Sequence, residues 1–484
     1  MNTPRAPYTP SVGLQVNRRA FLSRAGMGFG GLALGSMLHQ ACAATTDGQP
    51  HFAPKAKSVI WLFMLGGTSH VESFDPKPAL NLHAGKTFEE TPFNDAIVNS
   101  PFYRKNVRDF AGKPRDLMPK VYPLQTGYRP RGQSGIEISD WWPHVGSCAD
   151  DLAVVRSMWT TDNDHAAQLQ FHTGHHIFDG LHPSVGSWVH YGLGTLNANL
   201  PQFVVLGEGP RECCGGNGAH GASYLGPEHA AVKMSADPRN PLAFGSPATP
   251  VFAAERRAQL DLLGDLNGIA GAAYPHDGEL RARIKSYELA FRMQMSVPGT
   301  LDISSEPPHI TRSYGLDTPA TESFGRLCLL ARRMVERGVR FVQVYHDGWD
   351  AHSKLKENHG KNCLAVDQPI GALLKDLKQR GLLDETLVVW GTEFGRTPGA
   401  ERSDGRDHHP YGFSIWMAGG GIKGGLTHGA TDELGFHAVE HRHYVTDLHA
   451  TVLHQLGLDS SKLQIPGQPR LEKDYGKVIR EVVA

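Results

Sequence analysis

The sequence has no C-x-x-C pair, no long apolar run, no excess charge of either sign, no internal repeat and no low-complexity tract. Each shortage removes a class of protein. Six cysteines in 484 residues, scattered apart from Cys213-Cys214, do not make a disulfide-stapled scaffold. Cys328 and Cys363 fall on apolar helix faces and read as core. Cys213-Cys214 sits in a glycine-rich loop, where a vicinal disulfide is one reading. The 48 Lys and Arg against 49 Asp and Glu leave a net charge of −1, which points away from nucleic acid and from anionic membrane surfaces. The apolar stretch nearest the N-terminus is too short and too glycine-rich to span a bilayer well, so no stable membrane span is expected.

What is present in quantity is length and histidine. A chain of 484 residues can bury a large core, as one large domain or two smaller ones. Twenty-six histidines favour a metal or acid/base site, because imidazole is the commonest metal ligand. Near the start, Asn17-Arg18-Arg19-Ala20-Phe21-Leu22 is a twin-arginine signature. A weakly apolar stretch follows from about Ala25 to Leu38, and Ala41-Cys42-Ala43 is a small-residue cleavage site. These predict an export signal over residues 1–43 and a periplasmic or secreted mature chain. Residues 44–484 are expected to form a single α/β domain, with a helical and loop excursion around 208–319.

Continuous apolar runs predict buried strands at Ser58–Leu65, Leu152–Arg156, Gln202–Gly207, Val339–Tyr345, TLVVWG from Thr386, and FSIWMA from Phe413. Helices are predicted over Pro183–Gly194, over Ala253–Met295, on the stripe Phe324, Leu327, Cys328, Ala331, Met334 and Val335, on the stripe Ile370–Leu377, and over Thr446–Leu456. A further helix is expected to end near Phe171. Asn81–Gln133 reads as irregular loops. Strand, helix, strand in the C-terminal half implies parallel crossovers.

In such sheets, sites form at the carboxyl ends of strands. Carboxylates and imidazoles gather after several predicted strands. After the first come His70 and Asp75. After the second come Asp164 and His165. Asp347, Asp350 and His352 follow the fourth, Glu393 the fifth, and Asp407, His408 and His409 precede the sixth. Acids packed in a crevice are costly without a cation. Mixed carboxylate and imidazole ligands suit zinc or manganese, with magnesium or calcium favoured if oxygen dominates. A buried ion-pair network, Glu393 with Arg396 and Arg406 with Asp407, is the competing account.

GGTSH..SFDPKP, GWDAH, TEFGRTP, GRDHHPYGFSIWMAGGGIKGG and TDLHATVLHQLGLD together resemble the exported bacterial family known as domain of unknown function 1501. That family is grouped with the alkaline phosphatase and sulfatase superfamily. The resemblance implies a three-layer α/β/α sandwich around a mixed, mostly parallel sheet. It also implies metal-dependent hydrolysis of sulfate or phosphate esters on a small molecule or polysaccharide. The metal set would come from His70, Asp75, Asp347, Asp350, His352, Glu393, Asp407 and His408. His165 or His408 would carry the proton and Arg396 would hold the anion. Two features depart from the superfamily: Gly66-Gly67 stands where an aspartate ligand is expected, and Asp164 where the nucleophile is. Ser69 is the hydroxyl nucleophile to test. The alternative is a non-catalytic metal- or ligand-binding or assembly protein on the same fold.

Overall fold

The run SVIWLFM forms β1, Ser58–Met64, and each of its seven residues is buried. A strand covered on both faces needs apolar side chains at every position. They alternate between two cores: Ile60, Leu62 and Met64 enter one, while Val59, Trp61 and Phe63 enter the other. The computed structural model describes residues 48–97, 120–235, 252–273, 299–463, 465 and 476–484. The predicted export signal lies outside them, as does the second half of the helix expected over Ala253–Met295; Ala253–Ala273 is helical.

Eight more strands join β1: β2 (Leu152–Trp159), β3 (Phe203–Leu206), β4 (Val232–Met234), β5 (Phe341–His346), β6 (Thr386–Gly391), β7 (Phe413–Ala418), β8 (Leu426–His428) and β9 (His443–Tyr444). The order is β8-β2-β7-β6-β1-β5-β3-β4, with β9 also paired to β2. Every pairing is parallel except those of β7, which runs against both β2 and β6.

The flanking helices include α1 (Ala167–Thr173), α2 (Val185–Leu193), α3 (Glu322–Glu336), α4 (Leu355–Gln379) and α5 (Val445–Gln455). The apolar stripes of α3 and α4 fill the first core, and those of α2 and α5 fill the second. The result is the expected α/β/α sandwich around a mixed, mostly parallel sheet. No helix among the described residues is long and apolar enough to cross a membrane.

Three expectations are corrected. The stretch read as loops ends in the first strand of a hairpin, Tyr128–Arg131 against Ile136–Ser139, closed by Gly132 and Gly135 at positive φ. Its first strand, YRPR, is half exposed and has no apolar run to announce it. Helix α4 begins fifteen residues before the stripe at Ile370, because its first turns bury polar His359 and Asn362 among apolar neighbours. Cys213 and Cys214 are free thiols, their sulfurs 2.9 Å apart.

The topology decides which loops can meet. β1, β2, β5 and β6 point the same way, so the loops after them open at one edge of the sheet. β7 is reversed, so the segment before it opens there too.

Candidate metal centre

Asp350 lies four residues beyond His346, where the chain leaves β5. Its Oδ1 is 3.0 Å from His352 Nε2, 3.1 Å from His408 Nε2 and 2.7 Å from an Arg396 terminal nitrogen. Its Oδ2 is 3.2 Å from His165 Nε2. His352 Nε2 and His408 Nε2 are themselves 3.0 Å apart. His408 comes from the segment before β7, where His408–His409 form a short antiparallel ladder with Gly395–Arg396. His165 comes from the loop after β2.

The other nitrogen of each ring fixes its tautomer. His408 Nδ1 is 2.8 Å from the Asn163 carbonyl oxygen, which can only accept, so this nitrogen donates. His352 Nδ1 faces Glu401 Oε2 at 2.5 Å, and His165 Nδ1 faces Glu393 Oε1 at 3.1 Å. Each ring therefore donates outward through Nδ1. In the neutral rings, three Nε2 lone pairs converge on the Asp350 carboxylate. Lone pairs and a carboxylate repel unless a cation stands among them.

Protons or a metal ion can supply that charge. Burial works against the charge on His165, yet its contacts with Asp350 and Glu393 prevail and raise it to about 9. The contact with Asp350 likewise raises His352. Asp350 is held far below the usual carboxylate range: partial burial opposes this, but hydrogen bonds from His165, His352 and His408, with the Arg396 charge, outweigh it.

The donors around Asp350 are spaced like metal ligands. Each imidazole Nε2 lies 3.0–3.2 Å from an Asp350 oxygen, close to the separation of ligand atoms roughly 2.1 Å from one metal. The groups His165, Asp350, His408 and His352, Asp407, His408 each bring their ligand atoms within 4.8 Å of one another. Three imidazoles and one carboxylate favour zinc or iron over magnesium or calcium. Rings backed by carboxylates and a carbonyl are the usual outer support of such a centre. Asp350 is 40% exposed, so the cluster opens to solvent on that side.

The sequence-derived set therefore divides. Asp350, His352, His408 and His165 present their donors together. Glu393 is fully buried behind His165, accepting from Gly66 N and Gln168 Nε2. Asp407 accepts from His408 N and lies 3.5 Å from His352 Nδ1, behind the rings. Three other residues stand apart. His70 Nε2 bonds the Gly435 carbonyl, in a buried place that lowers its pKa. Asp75 is an ion-pair partner of Lys77 at 3.0 Å. Asp347 is exposed and lines a separate cleft of about 520 Å³ with Asn358, Lys361 and Asn362.

Arg396, expected to hold the anion, is placed behind the centre. Its guanidinium is fully buried and spends its donors on Gly67 O, Arg406 O, Gly66 O and Asp350, so it ties three loops together. The expected ion-pair network is also differently wired: Arg406 pairs with Glu72 at 2.7 Å, both side chains fully buried. Ser69 is fully buried and donates its hydroxyl to Glu72. The supporting residues Glu401 and Gln168 escape a reading of the sequence. Gln168 does lie three positions after His165, but nothing local marks Glu401.

A family model described as a protein of unknown function, DUF1501, matches residues 56–483. No curated protein matches the chain in sequence. Solved structures similar in fold include a lipoteichoic acid synthase from Listeria monocytogenes, with 8% identity, 88% of this chain and 78% of that one covered, and a TM-score of 0.34. A sulfatase from Pseudoalteromonas sp. shares 11% identity over 91% of this chain and 76% of its own, with a TM-score of 0.33. The C-terminal periplasmic domain of EptC from Escherichia coli, solved with zinc, shares 8% identity over 90% of this chain and 94% of its own, with a TM-score of 0.36. At that level the likeness reaches no individual residue.

Proposed function

The chain belongs to the DUF1501 family of proteins of unknown function, and from that premise we propose that it is a metal-dependent hydrolase of sulfate or phosphate esters. The observation that carries this reading is the convergence of three imidazole Nε2 atoms on Asp350 at a solvent-open sheet edge. His165, His352, His408 and Asp350 would hold the ion. A divalent ion there supplies Lewis acidity toward an ester oxygen and a nucleophile at neutral pH. Glu393, Glu401 and the Asn163 carbonyl keep the three rings in the tautomer that presents Nε2. Arg396 pins Asp350 between them. The substrate class, an ester of a small molecule or polysaccharide, rests on the family resemblance. Export by the twin-arginine route, leaving residues 44–484 as one domain, belongs to the same proposal; Arg18→Lys with Arg19→Lys should keep the protein in the cytoplasm.

The test is elemental analysis of the mature protein followed by a panel of sulfate and phosphate esters. Wild type should carry a near-stoichiometric transition metal at this centre and turn over at least one ester, and His352→Ala should lose both. Metal content unchanged in His352→Ala and in His408→Ala would remove the centre. A second reading, a non-catalytic metal-binding protein, has one observation in its favour. The side chains that contact Asp350 among the described residues are three imidazoles and a guanidinium, with no hydroxyl or thiol to form a covalent intermediate. Metal without turnover of any ester would select it.

A further inference from the structure

We propose a second divalent-metal site, with zinc as the ion it suits best, on the far edge of the sheet, formed by His428 and His443 with Glu481. The two histidines end or begin the edge strands β8 and β9, which both pair in parallel with β2: His428 opposite Val155 and His443 opposite Met158. That pairing brings together residues fifteen positions apart, and their Nε2 atoms face each other at 3.0 Å. None of these residues belongs to the Asp350 centre.

The outer support matches that of a metal-ligating histidine. His443 Nδ1 is 2.8 Å from Asp447 Oδ2, and the carboxylate can only accept, so Nδ1 carries the proton and Nε2 presents a lone pair. Asp447 is held in turn, because its Oδ1 accepts from Lys477 N at 2.7 Å. The lone pair of His443 points at His428 Nε2. In the metal-free protein His428 must donate a proton into that gap. An ion can take the proton's place, since 3.0 Å is close to the roughly 3.3 Å between two nitrogens of a tetrahedral zinc centre. A third ligand is at hand: Glu481 Oε2 lies 3.9 Å from His428 Nε2, on a side chain 57% exposed and able to swing inward. His441 stacks on the His428 ring at a centroid distance of 5.0 Å and holds its plane. Two imidazoles and a carboxylate, with a position left for water, suit zinc better than magnesium or calcium.

The site has a structural consequence. Glu481 belongs to the C-terminal segment, which is already fastened beside β8: Lys423 N bonds Val482 O, and Ala484 N bonds Gly421 O, each at 2.9 Å. A shared ion would staple that segment to the sheet edge.

The test uses the mature chain, stripped with a chelator and equilibrated with zinc alone. Wild type should bind one more zinc per chain than the His428→Gln, His443→Gln double variant. His352→Ala should keep that equivalent, so failure of the Asp350 centre and failure of this site give different patterns. Asp447→Asn should weaken the same equivalent roughly 10–100-fold by freeing the His443 ring. Glu481→Gln, on a side chain 57% exposed, should weaken it as well. Zinc should slow proteolysis of the C-terminal segment in wild type and not in Glu481→Gln. Equal zinc content in wild type and the folded double variant, or zinc uptake and protection unchanged in Glu481→Gln, would overturn the proposal and leave a plain imidazole–imidazole hydrogen bond.

Discussion

Asp350 shows how one side chain can organise a site. It touches three imidazoles and a guanidinium while remaining 40% exposed. In the metal-free protein the positive charge it needs comes partly from His165, raised to about 9. Removing the Asp350 charge should therefore release that proton. In Asp350→Asn, stripped of metal, the His165 ring should titrate at least one unit lower than in wild type, read by NMR across pH 5 to 10. A His165 titration that stays in place would mean that Glu393 alone sustains it. At this scale the sequence was partly legible. Asp350, His352 and His408 were recognisable as acids and imidazoles beside strand ends. His70, Asp75 and Asp347 carried the same signal, yet they face a carbonyl, a lysine and an open cleft. Residue type and proximity to a strand end do not say which way a side chain turns.

Among the elements, the loops matter more than the strands that carry them. Gly66-Gly67, standing where an aspartate ligand was expected, makes room for another loop: Gly66 has φ +119°, and a Cβ there would sit 2.4 Å from Asp350 N and 2.9 Å from the Trp349 carbonyl carbon. Gly66→Ala must therefore push away the backbone that presents Asp350. We expect it to cost about 1–3 kcal/mol from backbone strain alone, seen as a lower urea midpoint, with a larger proportional loss of metal affinity. An unchanged midpoint and unchanged affinity would show that the two loops are not packed as described. A Cβ at Gly405 would likewise sit 2.1 Å from the His352 carbonyl, so the glycines mark where loops press together. The strands themselves were legible because they are buried on both faces and need unbroken apolar runs. The hairpin at Tyr128–Ser139 was not, because an edge ribbon has no such need. The reversal of β7 was equally hidden, and it alone explains how His408, which precedes its strand, meets Asp350, which follows one.

For the whole molecule, the sandwich buries histidines as neutral core, and this sets its response to acid. Burial lowers His172 to about 3 and His190, His220, His346 and His449 to about 4. Each titrates near 6.5 in the unfolded chain. Below pH 6.5 the unfolded state therefore binds more protons than the folded one, so stability is full above 6.5 and is lost as pH falls. At pH 5.5 these five should take up roughly four protons on unfolding, each contributing up to about 1.4 kcal/mol per pH unit. His165 acts in the other direction. Its raised value of about 9 gives the metal-free protein stability that is present below 6.5 and lost as pH rises through 9. Metal-free protein should thus be most stable near pH 7, with a steep acid limb and a shallower alkaline one. Thermal melts across pH 5 to 9.5 would show it. His172→Phe keeps a ring against Phe63 and Tyr345 and removes one titrating group, so its acid limb should flatten by about one proton. Melting temperatures that stay level from pH 7 to 5.5 would mean that these histidines find water on protonation and are not locked in the core. The alkaline limb should shrink and move to lower pH in Asp350→Asn, because Asp350 and Glu393 together hold the proton it reports on His165.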